Sequence, residues 1–289
     1  MNYYNDNTNK IRRKKISSSD IDKQIEINRN INRKENIKNN NLKNSRKVRI
    51  KNKKKKAKIL KFLLTVCLIF LIFCSILGSF MVFVSLKDSP KVTKKLIQEN
   101  YISSQVVNIE DIPDNLKNAL VAIEDERFYE HSGVDIKSLL RSVLHNVFTD
   151  TTQGGSTIEM QISKNLLTNN ERSIKRKIRD IYNAIQIDKI MSKEEILGIY
   201  LNNVYFGKSS YGVAKASKAY FGEDVQNLDL AQCAMLVGIT NNTAKYSQYS
   251  EAKKRQETIL YKMNKLGYIT DTEYKNALKE KVTFKSEIE

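Results

Sequence analysis

The chain has 289 residues and a formal net charge of +18, but residues 1–61 alone hold 21 Lys and Arg against 5 Asp and Glu. The charge therefore belongs to a tail and says little about what a folded domain binds. Three cysteines show no pairing pattern or metal-ligand spacing and are uninformative about disulfides, and only two histidines, His131 and His145, argue against a His-rich metal site.

In chain order, residues 1–58 are polar, rich in Asn and Lys, and nearly free of aromatics after Tyr4. They cannot bury enough apolar surface to offset ordering entropy, so the composition predicts a disordered tail. Residues 62–86 carry no charge. A helix of that length crosses a hydrocarbon core of about 30 Å with some tilt, which predicts a transmembrane helix over residues 59–86. The run is too long, and too far from the N-terminus, for an ordinary cleaved signal peptide. Lys51, the four lysines of residues 53–56, Lys58 and Lys61 precede it. The positive-inside rule puts that end in the cytoplasm and residues 87–289 outside, as one extracytoplasmic domain. The cluster abuts the span and has no interleaved aromatics. That favours a topology signal resting on anionic lipid over nucleic-acid binding.

From Lys87 onward the periodicity is helical, and the domain reads as mainly α without repeats. Leu116, Ala119, Leu120 and Ile123 form one apolar face. Ser192 with Glu195 predicts a capping box, as does Thr270 with Glu273, and Gly267 ends the helix before the latter. Asn227 is the expected cap of a helix running to Val237, with Gly238 as its stop.

Three segments carry residues suited to chemistry. Residues 122–135 read AIEDERFYEHSGVD. Glu124 falls at the rim of the apolar face, the partly desolvated setting a general base needs; a helix-end carboxylate in a charged cluster is the plainer alternative. Residues 154–165 read GGSTIEMQISKN. Gly154 and Gly155 followed by Ser156 and Thr157 suit a loop entering a helix, able to hold a phosphate or sugar, or else a simple glycine turn. Lys164 lies on the following helix. In residues 172–189, Ile174, Ile178, Ile181 and Ile185 share one helical side. Arg172, Arg176 and Arg179 share the other, with Asp180 beside them. Guanidiniums in a stripe suit a diphosphate, although a solvated basic face gives the same pattern.

Taken together and in order, these segments resemble the family-51 glycosyltransferases, the domain of class A penicillin-binding proteins and monofunctional peptidoglycan transglycosylases. Glu124, Asp125, Phe128, His131 and Gly133 match the first family motif, and residues 154–161 with Lys164 and Asn165 the second. Arg176, Lys177 and Asp180 match the third. Lys193 through Asn202, continuing to Gly207, match the fourth, and residues 230–238 resemble the fifth. The resemblance covers roughly residues 95–280. It implies a lysozyme-like, mainly α lobe with a smaller membrane-associated lobe, for which Val143, Leu144, Val147 and Phe148 are candidates. It further implies lipid II and the growing glycan strand as substrates, with Glu124 as catalytic base and Asp180 as second catalytic carboxylate. Arg141, Ser156, Thr157, Gln161, Lys164, Arg172 and Arg176 are the implied substrate contacts. A divalent cation, Mg or Mn, has a place beside the diphosphate, and no organic cofactor is expected. Membrane lipid and other wall-synthesis proteins, such as a transpeptidase, are expected partners, and nucleic acid is not.

Five features depart from the motifs. Asp180 stands for Glu, Glu159 and Met160 for Thr and Gln, Gln232 for a common Glu, and one glycine is missing after Gly207. A catalytically weakened scaffold and a glycan-cleaving lysozyme-like enzyme are the alternatives. A transpeptidase domain would bring Ser-x-x-Lys and Lys-Thr-Gly elements. Residues 250–253, SEAK, stand alone near the end at Glu289, so strand synthesis without cross-linking is expected.

Overall fold

The computed structural model describes residues 18–151, 154–168 and 173–285. The chain divides into two compact units, Met1–Leu77 and Gly78–Glu289. Helix α1 spans Ser18–Leu86. Its apolar part reaches a mean hydropathy of 2.7, with none of that stretch buried against protein. The helix also runs back through residues 18–58, where composition predicted disorder; residues 1–17 of that tail lie outside the described residues. Every described side chain from Lys23 to Lys58 is exposed, as the composition requires. The backbone is nevertheless helical, because no Gly or Pro interrupts it and the apolar run continues it without a break.

The second unit is helical throughout, and among its described residues the only β pairing is an isolated bridge between Tyr205 and Tyr211. Its helices are α2 (Lys94–Glu99), α3 (Asp114–Glu124), α4 (Ile136–Phe148), α5 (Ile158–Ile162), α6 (Ile174–Ile190) and α7 (Lys193–Asn203). After these come α8 (Val213–Phe221), α9 (Leu230–Ile239), α10 (Thr243–Tyr246), α11 (Tyr249–Lys265) and α12 (Asp271–Lys279). A π-helical turn, Ser163–Leu167, extends α5.

Helix α9 is the centre of the core. It is apolar all round and buried at every position from Ala231 to Ile239 except Gln232, as a helix without a polar face must be. Leu116, Ala119 and Leu120 of α3 and Ile259, Leu260 and Met263 of α11 join it in one core cluster. The start of α9 differs from expectation. Asn227 closes a short 3-10 turn, and Asp229 caps the helix, accepting from the Gln232 backbone N–H at 2.7 Å. Asp229 wins because the Gln232 side chain returns a bond to its backbone at 3.0 Å, completing a capping box. Gly238 does not stop the helix. A Cβ there would lie 2.8 Å from Arg255 Cγ, so the missing side chain lets α11 cross close to α9.

The isoleucine stripe of α6 also differs. Asp180, Asn183, Ala184 and Ile187 are its buried residues, and Ile174 is 69% exposed. Periodicity alone could not show that α6 turns a partly polar face inward, toward α5 and the π-turn. The Ser192 and Thr270 capping boxes and the left-handed Gly267 form as the spacing predicts.

Two asparagines at the end of α7 hold the segment before α3. Asn202 Oδ1 accepts from Val107 N–H at 2.8 Å while its Nδ2 donates to Val107 C=O at 2.9 Å. Asn203 Oδ1 accepts from Ile102 N–H at 2.8 Å. Asn202→Leu leaves both backbone groups of half-buried Val107 without their side-chain partner. Thermal unfolding of the detergent-solubilised chain should show a loss of about 2–3 kcal/mol. A change under about 0.5 kcal/mol would mean water replaces the amide.

Candidate active site

Helix α3 delivers Glu124 as its last residue, half-buried, into a cleft of about 500 Å³. The cleft brings together six residues expected at the site: Glu124, Arg141, Ser156, Thr157, Gln161 and Lys164. Asn241, Arg255, Thr258 and Lys262 also line it and were not anticipated. Arg172 lies outside the described residues.

Gln161 Nε2 donates to Glu124 Oε2 at 2.9 Å, and Tyr200 Oη donates to Gln161 Oε1 at 3.1 Å. Burial, and then the charge of Glu124, push the Tyr200 phenol well above the ordinary range. The next residue after Glu124 faces inward. Asp125 Oδ2 bonds His131 Nε2 at 2.9 Å and accepts from the Ile158 backbone N–H at 3.2 Å. Burial opposes a charge on His131, but the bond and charge of Asp125, with Glu159 adding, outweigh it, so its pKa is raised.

The loop from Asp125 to Asp135 closes against its surroundings at two more points. Arg127 forms a two-pronged ion pair with Asp135, which caps α4 through Ser138 N–H at 3.1 Å. Burial works against the Asp135 charge, yet Arg127 and Ser138 hold its pKa well below the carboxylate range. Thr157 caps α5 and donates its hydroxyl to Gly133 C=O at 2.7 Å. Gly133 has φ +83°, and a Cβ there would sit 2.4 Å from the Ala184 carbonyl oxygen, so only glycine fits.

Asp180 is not among the cleft-lining residues. It is 2% exposed and accepts from the hydroxyls of Ser163 at 3.0 Å and Thr168 at 2.9 Å, with Arg176 Nη1 at 3.5 Å from its other oxygen. Asp180 and Arg176 thus flank the π-turn that carries Lys164. Arg179 turns elsewhere, donating to Ser85 C=O at 2.7 Å, so Arg176 and Arg179 do not act as one surface. Lys177, absent from the expected contacts, reaches the glycine loop and donates to Ser156 Oγ at 2.8 Å. Burial, helped by Arg176 and Lys164 against Asp180, lowers its pKa.

The motif departures have structural places. Met160 is 1% exposed, a core side chain, while Gln161 meets the cleft. Glu159 is fully buried and accepts from Lys193 Nζ at 2.8 Å; burial raises its pKa against the pull of Lys193. Gln232 serves the capping box of α9. Where a glycine is missing, Lys208 and Ser209 adopt positive φ, 47° and 54°.

Asp125, His131 and Glu159 are close enough to hold a metal ion, their ligand atoms lying within 4.8 Å of one another. They do not fit a cation beside a diphosphate. The group is largely buried, Asp125 is bonded to His131, and Glu159 is paired with Lys193. In the cleft, Asp135 is held by Arg127, and Glu126 faces Arg141 at 3.7 Å and Lys262 at 3.9 Å.

Residues 90–264 match the Transglycosylase family. Penicillin-binding protein 1A of Clostridium botulinum is 37% identical over 262 residues, covering 80% of this chain and 32% of that protein. A putative transglycosylase of Cupriavidus necator is 39% identical over 177 residues, covering 60% of this chain and 77% of that protein. The chain thus spans about a third of the length of the penicillin-binding relative. A crystal structure of penicillin-binding protein 1A from Haemophilus influenzae, 22% identical, covers 62% of this chain and 18% of that one. Its TM-score is 0.38.

The folded state favours charged His131. Its contribution is fully present below the ordinary imidazole value of 6.5 and is lost as pH rises through the raised folded value. Melting temperatures across that window should fall in the wild type relative to His131→Gln. Parallel pH slopes would show that His131 contributes no such linkage.

Proposed function

The chain belongs to the transglycosylase family, and from that premise we propose that it polymerises lipid II into glycan strands at the outer face of the cytoplasmic membrane. The observation that carries this reading is a single cleft in which Glu124, bonded by Gln161, faces Arg141 and Lys164. Glu124 takes the proton from the 4-hydroxyl of the acceptor sugar. The freed oxygen attacks the anomeric carbon of the growing chain from the face opposite its diphosphate. A C–O bond forms there, the bond to the lipid diphosphate breaks, and the diphosphate leaves with the electron pair, inverting the centre. Charge grows on the departing oxygens, so preorganised cations lower the barrier. The lining of the cleft by Lys164 and Arg141 supports this role for them, as does the Ser156 hydroxyl, to which Lys177 donates.

Asp180 supports this chemistry through the π-turn that presents Lys164. Arg255 and Lys262 add a cationic wall on α11, suited to the diphosphate of a second lipid-linked substrate. A hydrolase acting on neutral glycan has no comparable use for these cations. The α4 side chains Ile136, Leu140, Val143, Leu144, Val147 and Phe148 are all more than half exposed, an apolar face suited to lipid. The uncharged part of α1 anchors the protein in the membrane, with its lysine-rich flank in the cytoplasm.

The test is polymerisation of labelled lipid II by the purified full chain. Glu124→Gln should lower turnover by about a hundredfold to ten-thousandfold, and equal polymer from both proteins would remove Glu124 as base. A second comparison concerns Asp180. Asp180→Asn keeps an oxygen for Ser163 and Thr168, so it should stay within about tenfold of wild type while Asp180→Ala falls well below that. Equal, complete loss in both would assign the carboxylate charge a direct role.

A further inference from the structure

Glu124, once ionised, can only accept hydrogen bonds. The amide of Gln161 helps it only while its nitrogen faces the carboxylate, as it does at 2.9 Å. Turning the amide by half a rotation would place an oxygen there instead, opposing the ionised base. The carboxylate favours the first orientation, but Gln161 is partly exposed and lines the cleft, so a second contact is needed to hold the amide in place. The other end of the amide meets a single donor from the core, Tyr200, whose hydroxyl lies 3.1 Å from Gln161 Oε1.

Tyr200 is 2% exposed and sits on α7, which is held at both ends. The Ser192–Glu195 capping box fixes its start, and Asn202 and Asn203 clasp its last turn to residues 102–107. The hydroxyl oxygen is therefore held in place opposite Gln161 Oε1. The phenol stays protonated, so it can donate to Gln161 Oε1 while the amide nitrogen faces Glu124.

We propose that Tyr200 is a positioning residue for the base: its hydrogen bond to Gln161 Oε1 braces the amide in the orientation that presents N–H to Glu124. The proposal rests on the reading of Glu124 as base. It places the control of that base in the protein core, on a residue that touches no substrate. The charged groups that share the cleft with Glu124 are Asp125, Glu126 and Asp135, Arg141 on α4, Lys164 on the π-turn, and Arg255 and Lys262 on α11. Loss of one buried hydroxyl leaves all of them in place.

The experiment measures lipid II polymerisation by the full chain across pH, with melting temperature as a check on folding. Tyr200→Phe should lower kcat about tenfold with little change in KM, and move the acidic limb of the profile up by about one unit, because the base loses a donor. Placing 3-fluorotyrosine at position 200 supplies a stronger donor of nearly the same shape, so the limb should move down instead. This second variant reads the same bond even if the phenylalanine fails to fold. In a Gln161→Ala background, Tyr200→Phe should change nothing further, since the amide through which it acts is gone. An unmoved acidic limb in both tyrosine variants, or effects that multiply in the Gln161→Ala background, would overturn the proposal. Glu124→Gln is run alongside. Full activity there would overturn the base reading itself, whereas loss there with an unmoved limb in the tyrosine variants overturns only the role of Tyr200.

Discussion

The bond set of Asp125 is the constraint on which the rest of the site depends. One carboxylate oxygen meets His131 at 2.9 Å and the backbone N–H of Ile158 at 3.2 Å. It ties the residue after Glu124 to the first residue of α5, the helix that carries Gln161. Thr157 adds a second stitch to Gly133. Without these bonds, Glu124 and its amide would ride on elements free to shift separately, and positional errors of about 1 Å are costly to catalysis. The nearly buried His131 strengthens the tie by favouring its own charged form beside Asp125.

A second layer of buried polar groups lies behind the first. Glu159 is balanced by Lys193, which also reaches Asp188 at 2.7 Å and stands 4.3 Å over the Phe128 ring. Asp180 gathers Ser163, Thr168 and Arg176, and Asn183 donates to Ser163 at 3.0 Å. Buried charges cost desolvation and repay it only with good geometry. Here the outlay falls on the segments that present Gln161 and Lys164. Rigid presentation of those groups is what an electrostatically preorganised cleft needs.

Much of this was legible in the sequence where the chemistry is local. The Ser192 and Thr270 capping boxes, the apolar face of α3 and the position of Glu124 at its edge each depend on residues a few places apart. What was not legible depends on distance in the chain. Tyr200 reads as one more apolar residue of α7, and nothing local shows its hydroxyl meeting Gln161, 39 residues away. Arg255 and Lys262 enter the cleft on α11, which crosses close to α9 at Gly238, a glycine whose local signature is a helix stop. For α6, period separates an isoleucine side from an arginine side, but the packing partner decides which residues are buried.

The motif departures look different once the side chains are placed. Met160 replaces an amide at a position that faces the core, so the cleft keeps the amide of Gln161. Gln232 does the capping work that a Glu at N3 would do, since either side chain can accept from the N-cap backbone. Lys208 and Ser209 carry the left-handed turn that an additional glycine would relieve, with the Lys208 ammonium 4.4 Å over Tyr220 as local compensation. Glu159 is the costly exception, a carboxylate in the interior, and it is tolerable only because Lys193 reaches it. None of these changes removes a group from Glu124, Gln161, Arg141 or Lys164. These changes fall in the scaffold around the cleft, where one polar contact can replace another.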